Sequence, residues 1–133
     1  MLSSVYIDTR GEIIRLFDTV LYETESGNIP LKIFLCDLAK KHKEIEIAQI
    51  RLYISRLEEH GLEVNKVYPK TIKHIKEKIY ELRPGSNRVL FFYYDGDGFV
   101  LLHGFTKKTQ KTPKKEIDKA DSEYKDYIRR NRL

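Results

Sequence analysis

The chain has 133 residues, 25 Lys+Arg against 20 Asp+Glu, 41% hydrophobic and 11% aromatic residues, and a single cysteine. A chain of this length buries enough surface for one self-sufficient core, so one domain is expected. One cysteine, Cys36, excludes an intramolecular disulfide and a cysteine zinc cage, and no apolar run approaches a bilayer span. The N-terminus carries Asp8, Arg10 and Glu12 among its apolar residues, unlike a secretion signal, so a soluble, cytoplasmic protein is expected.

The net charge of +5 is unevenly spread. Residues 1–65 hold 8 basic and 11 acidic residues, net −3, whereas residues 66–133 hold 17 and 9, net +8. A basic second half on a slightly acidic first half points to a polyanionic partner.

Residues 1–15 leave two readings open, a short hairpin of Val5-Tyr6-Ile7 with Ile13-Ile14 about Arg10-Gly11, or an irregular arm. Leu16 to Tyr22 is rich in β-branched and aromatic residues and reads as a strand ending at Glu25-Ser26-Gly27-Asn28. Pro30 suits a first helical turn, and Leu31, Phe34, Leu35 and Leu38 follow at helical spacing, so a helix is predicted over 30–41. Cys36 is expected to be a buried thiol on that helix. A second stripe, Ile47, Ile50, Ile54 and Leu57, ends at Gly61, and the two helices should form a hairpin.

The period then changes. Residues 78–83 alternate, Pro84-Gly85-Ser86-Asn87 is a turn, 88–94 is a continuous apolar run, Asp95-Gly96-Asp97-Gly98 is a second turn, and 99–105 is a further run. This reads as a three-stranded antiparallel meander covered on at least one face by the helical hairpin. Thr112 suits an N-cap with Pro113 at the first helical position, and Ile117, Ala120, Tyr124 and Tyr127/Ile128 form the inward stripe of a last helix. The expected fold is α+β, in the order β-α-α-β-β-β-α.

The chemistry-bearing residues are few. None of the four histidines has metal-ligand spacing, and His42, His60 and His74 lie in charged stretches. His103 ends an apolar strand on the predicted face of Leu101 and Phe105, either as a hydrogen-bonded histidine at the core edge or as a proton-transfer group at a site mouth. Asp95 and Asp97 fit a turn without the further ligands of a calcium loop, and there is no phosphate-binding glycine loop or nucleophile elbow. What remains is a set of cations at strand ends. Arg83 and Arg88 flank one turn, Lys107 and Lys108 follow the last strand, and Lys111, Lys114 and Lys115 extend onto the last helix's N-terminus. Aromatic residues interleave with them, as a nucleic-acid groove requires.

The residues Tyr80-Glu81-Leu82-Arg83, Arg88-Val89-Leu90, and the run Leu101-Leu102-His103-Gly104-Phe105-Thr106-Lys107-Lys108 through Pro113, followed by a helix with Ala120, resemble the HigB-like, phage-related branch of the RelE/ParE toxin superfamily. The resemblance covers about residues 17–130, leaving 1–16 as an N-terminal extension and 17–133 as a single toxin domain. It implies a RelE-like fold and a type II toxin that cuts mRNA on the ribosome without a metal or other cofactor. It implies as partners the ribosome and mRNA, and a HigA-like helix-turn-helix antitoxin, with a higher-order toxin–antitoxin complex on operator DNA and no membrane. Metal-independent cleavage needs a deprotonated 2′-OH, a stabilised phosphorane and a protonated 5′-oxygen. By resemblance, Arg83, Arg88, Lys107 and Lys108 supply the catalytic cations, with His103 a further catalytic candidate. Lys70, Lys73, Lys78, Lys111, Lys114, Lys115 and Tyr80 are expected to touch RNA or ribosome. The familiar RelE branch has lysines in the strand that here carries Ile79 and Glu81, so the general base is open among His103, Lys108 and a ribosomal group. A non-catalytic basic nucleic-acid-binding protein and a gyrase-directed toxin on the same fold are the competing expectations.

Overall fold

The computed structural model describes residues 4–94 and 98–132. Its elements are β1 (Ser4–Ile7), β2 (Ile13–Leu16), β3 (Asp18–Leu21), α1 (Pro30–Lys40), α2 (Glu44–His60), a 3-10 segment (Gly61–Lys66), β4 (Ile72–Lys76), β5 (Ile79–Leu82), β6 (Asn87–Tyr94), β7 (Gly98–Thr106) and α3 (Lys114–Arg130). β1 and β2 pair as an antiparallel hairpin, with Ile7 opposite Ile13. The other five strands form one sheet in the order β3-β7-β6-β5-β4, in which β3 is parallel to β7 and the remaining neighbours are antiparallel. The architecture is the expected α+β. Among the described residues, no helix is long and apolar enough to cross a membrane.

The open choice at the N-terminus resolves as a hairpin, closed by Asp8, whose carboxylate accepts the backbone N–H groups of Arg10 and Glu12. The strand expected over 16–22 is broken at Phe17, whose N–H donates to the Glu58 carbonyl of α2 at 2.7 Å. Leu16 therefore closes β2 while β3 joins the main sheet. Gly61 ends α2 at φ 60°, and a Cβ there would lie 2.7 Å from the Phe17 ring, so both backbone and space demand glycine.

The predicted apolar stripes face the sheet, with Leu31, Leu38, Ile50 and Leu57 fully buried. Cys36, however, is exposed. At 3.6 residues per turn it stands about 200° round the helix from Leu38 and Phe34, on the solvent side, so the expectation of a buried thiol is corrected.

β6 and β7 are continuous apolar runs because both sheet faces are covered. Val89, Phe91, Phe99 and Leu101 pack with α1 and α2. Leu90, Phe92, Val100, Leu102 and Phe105 pack on the other face with Ala120 of α3. The meander also has a fourth strand that the sequence did not announce. β4 is a sheet edge whose residues are mostly exposed and charge-rich, so it shows little alternation. It is started by Asn65, whose Oδ1 accepts the N–H groups of Thr71 and Ile72 and whose Nδ2 donates to the Ile72 carbonyl.

Two local expectations change. Pro113, not Thr112, occupies the N-cap of α3, without a side-chain cap. The Thr112 hydroxyl instead donates to the buried Glu81 carboxylate at 2.7 Å. In β7 the register slips, so Leu90 faces His103 while Phe91 faces Leu101. This bulge turns His103 away from the Leu101 face and toward α3. The turn expected at Asp95, Gly96 and Asp97 lies outside the described residues.

Candidate nucleic-acid interface

Antiparallel pairing brings the cations together. Leu82 is opposite both Ile72 and Val89, and Arg88 is opposite Phe105, so the start of β4, the end of β5, the start of β6 and the end of β7 share one edge. The Lys107 N–H donates to the Ser86 carbonyl at 2.7 Å, which holds the basic segment after β7 against the 84–87 turn. Asn87, buried in that turn, donates to Glu46 of α2 and accepts from Thr106, locking turn, helix and strand together. Arg83, Arg88 and Lys107 thus converge.

At their centre is Glu81, only 2% exposed. Its Oε1 lies 3.7 Å from Arg83 Nε and 3.9 Å from Arg88 Nε. Both separations exceed hydrogen-bonding distance, and both Nε donors are buried without a hydrogen-bond partner among the described residues. Arg88 is itself almost fully buried, and its Nη1 donates to the Gly85 and Asn87 carbonyls. Burial pushes Arg88 below its usual value, with Arg83 adding to the effect and Glu81 opposing it. Arg83 is more accessible, with 29% of its side chain exposed. Lys107 donates from Nζ to the Gln110 carbonyl. Lost hydration first, then the Arg88 and Arg83 guanidinium groups, hold its ammonium below the ordinary lysine value, against the pull of Glu81.

The remaining predicted residues separate into groups. Lys73 and Lys111 line one cleft with Ile117 and with Thr112, whose hydroxyl is bonded to Glu81. Lys70, just before β4, is at that end and exposed, as is Lys108. Lys114 and Lys115 are exposed on the first turn of α3, where Lys114 pairs with Asp118. Lys78 precedes β5 and so stands at the opposite end, against Tyr94 and Tyr124. Tyr80 is on the helical-hairpin face, its ring stacked on Phe91 with centroids 5.7 Å apart. His103 is 1% exposed beneath α3. Its Nδ1 lies 2.5 Å from Glu123 Oε1 and its Nε2 lies 3.2 Å from Glu116 Oε1, so both ring nitrogens are engaged by carboxylates. The first of the two readings for His103, a hydrogen-bonded core-edge histidine, describes this geometry.

Sequence reasoning passed over Glu81, Thr112 and Asn87. The available signal was an acidic residue in a predicted strand two residues before an arginine, on the same side of the strand, since a charge buried in a sheet requires a partner.

The electrostatic character of this end is that of an anion site: two guanidinium groups and an ammonium against one carboxylate, with donor groups left over. No curated protein matches the chain. A family model described as phage-derived protein Gp49-like (DUF891) matches residues 34–125, from α1 through most of α3 and including every element of the arginine end. With more than two-thirds of its length so matched, the chain belongs to the phage-derived Gp49-like family, a RelE-like toxin family of the toxin–antitoxin context.

Proposed function

We propose that this protein is the toxin of a type II toxin–antitoxin pair, of the HigB-like kind, and that it cuts mRNA on the ribosome with the basic end of its sheet. Residues 17–133 are then the toxin domain and 1–16 its extension. The observation that carries the reading is the convergence of Arg83, Arg88 and Lys107 on one edge, with two buried Nε donors that have no hydrogen-bond partner among the described residues.

The chemistry follows from the groups. Arg83 reaches the scissile phosphate from a partly exposed position, and Arg88 stabilises the phosphorane charge from behind. Lys107, depressed first by lost hydration and then by its cationic neighbours, has more neutral amine near pH 7 than an ordinary lysine and takes the 2′-OH proton. The 2′-oxygen forms its bond to phosphorus as the bond to the 5′-oxygen breaks, and the departing oxygen takes a proton from the exposed Lys108 or Lys111. Lys70, Lys73, Lys111, Lys114 and Lys115 hold neighbouring phosphates of mRNA or rRNA. A helix-turn-helix antitoxin of the HigA-like kind neutralises the toxin and joins it in larger complexes on operator DNA.

The test is induced expression with growth and primer-extension readouts. Wild type should arrest growth and leave cut mRNA on translating ribosomes, while Arg88→Ala and Arg83→Ala should do neither although folded. Bound but uncut mRNA would make the protein a non-catalytic binder, and intact mRNA with a DNA-damage response would make it a gyrase poison.

A further inference from the structure

We propose that Glu81 is the positioning residue of this site, setting the Arg83 and Arg88 guanidinium groups as a matched pair for a single phosphate of RNA. The inference rests on the reading of this end as the RNA-cleaving site. Glu81 is buried in β5, with Oε2 committed to the Thr112 hydroxyl and Oε1 turned to both arginine Nε atoms. Its distances to the Nε atoms, 3.7 and 3.9 Å, are nearly equal, so it draws both groups toward one point without bonding to either.

The carboxylate does two things there. It offsets two positive charges that burial would otherwise penalise, since an uncompensated buried guanidinium is costly. It also leaves the pair incompletely satisfied. Arg88 is anchored through Nη1 to the 85–87 backbone, whereas Arg83 has no other ion pair among the described residues. One carboxylate against two guanidinium groups and Lys107 leaves net positive charge, which a phosphate completes. The Thr112 bond adds a tether, because it ties the 107–113 segment carrying Lys107 to the same carboxylate.

The experiment uses the full chain as wild type, Glu81→Gln, Glu81→Asp and Thr112→Val. Arginine side-chain 1H–15N spectra are recorded during titration with inorganic phosphate. Wild type should show two exchange-protected Nε–H signals that move on one binding curve. In Glu81→Gln the protection and the shared curve should be lost, and in Glu81→Asp, which keeps the charge but withdraws it, they should be weakened. Thr112→Val, which keeps the carboxylate, should retain both. Single-turnover cleavage on programmed ribosomes should fall about a hundredfold in Glu81→Gln at saturation, as misplaced catalytic groups do, with half-saturation little changed. The rising limb of its pH profile should move to lower pH, because Lys107 loses the charge that opposes its depression.

A folded Glu81→Gln with wild-type arginine signals, or with wild-type rate and pH profile, overturns the inference and leaves the toxin reading intact. Should Glu81→Gln not fold, Glu81→Asp with unaltered signals and rate does the same. Shared phosphate binding by a wild type that cuts no RNA would instead remove the toxin reading and retain the role of Glu81.

Discussion

Gly104→Ala tests how the last strand is seated. Gly104 lies in β7 opposite Val89, on the face covered by α1. Its backbone is not in the left-handed region, so alanine meets no conformational barrier. The obstacle is contact: a Cβ would stand 2.5 Å from Phe34 Cδ2, 2.9 Å from Cε2 and 3.2 Å from Cγ. Because Cγ is included, the ring cannot clear the methyl by moving its far edge alone, and α1 must lift or Phe34 must leave its rotamer. Overpacking of this sort costs about 1–3 kcal/mol. For a domain of this size that is a fall in Tm of roughly 3–15 °C. Thermal melting by circular dichroism reads the effect, and a double-mutant cycle with Phe34→Leu should return a coupling of about 0.5–3 kcal/mol in the relieving direction. Melting of Gly104→Ala within about 1 °C of wild type, or strict additivity in the cycle, would refute the steric account.

Further outcomes follow from the face under α3. His103→Leu removes the imidazole from between Glu116 and Glu123 and leaves the buried Glu123 unpaired, so denaturant unfolding should show a loss of about 3–5 kcal/mol. Hydrogen exchange should place that loss in α3, and a loss under 1 kcal/mol would count against a paired imidazole. Tyr22 donates to Asp126 at 2.6 Å, and burial together with that bond pushes its hydroxyl up to about 12. The folded state thus holds this proton more tightly than the unfolded chain, whose tyrosine titrates near pH 10. Its contribution is complete below about pH 10 and lost as pH rises toward 12, a step that Tyr22→Phe should abolish in alkaline denaturation. Arg130, then Tyr22, hold Asp126 below the usual carboxylate value, so its contribution is present at neutral pH and lost only in strong acid. Asp126→Asn should therefore weaken acid dependence, as read by melting below pH 4. Cys36, exposed on α1, should react with iodoacetamide in the native protein at a rate close to that of the unfolded chain; protection of tenfold or more would contradict its placement.

Local sequence determined most of the elements. The stripe Leu31, Phe34, Leu35 and Leu38 and the stripe Ile47, Ile50, Ile54 and Leu57 specify α1 and α2, because a helix registers its partner at every third or fourth residue. The apolar runs of β6 and β7, set apart by turn residues, specify buried strands. The strand ends also showed where the cations gather, since a meander returns each end to its neighbour. β4 escaped notice because an edge strand rich in lysine has neither alternation nor an apolar run. Only tertiary structure decided the inner arrangement of the site. Whether Glu81 faces solvent or two guanidinium groups depends on pairing with β6 and on the segment leading to α3. Whether His103 faces Leu101 or α3 depends on one bulge, which reverses a side chain without changing a residue. A sequence specifies which residues alternate along a strand, but the register between strands sets which charges meet, and at this edge of the sheet those meetings are the chemistry.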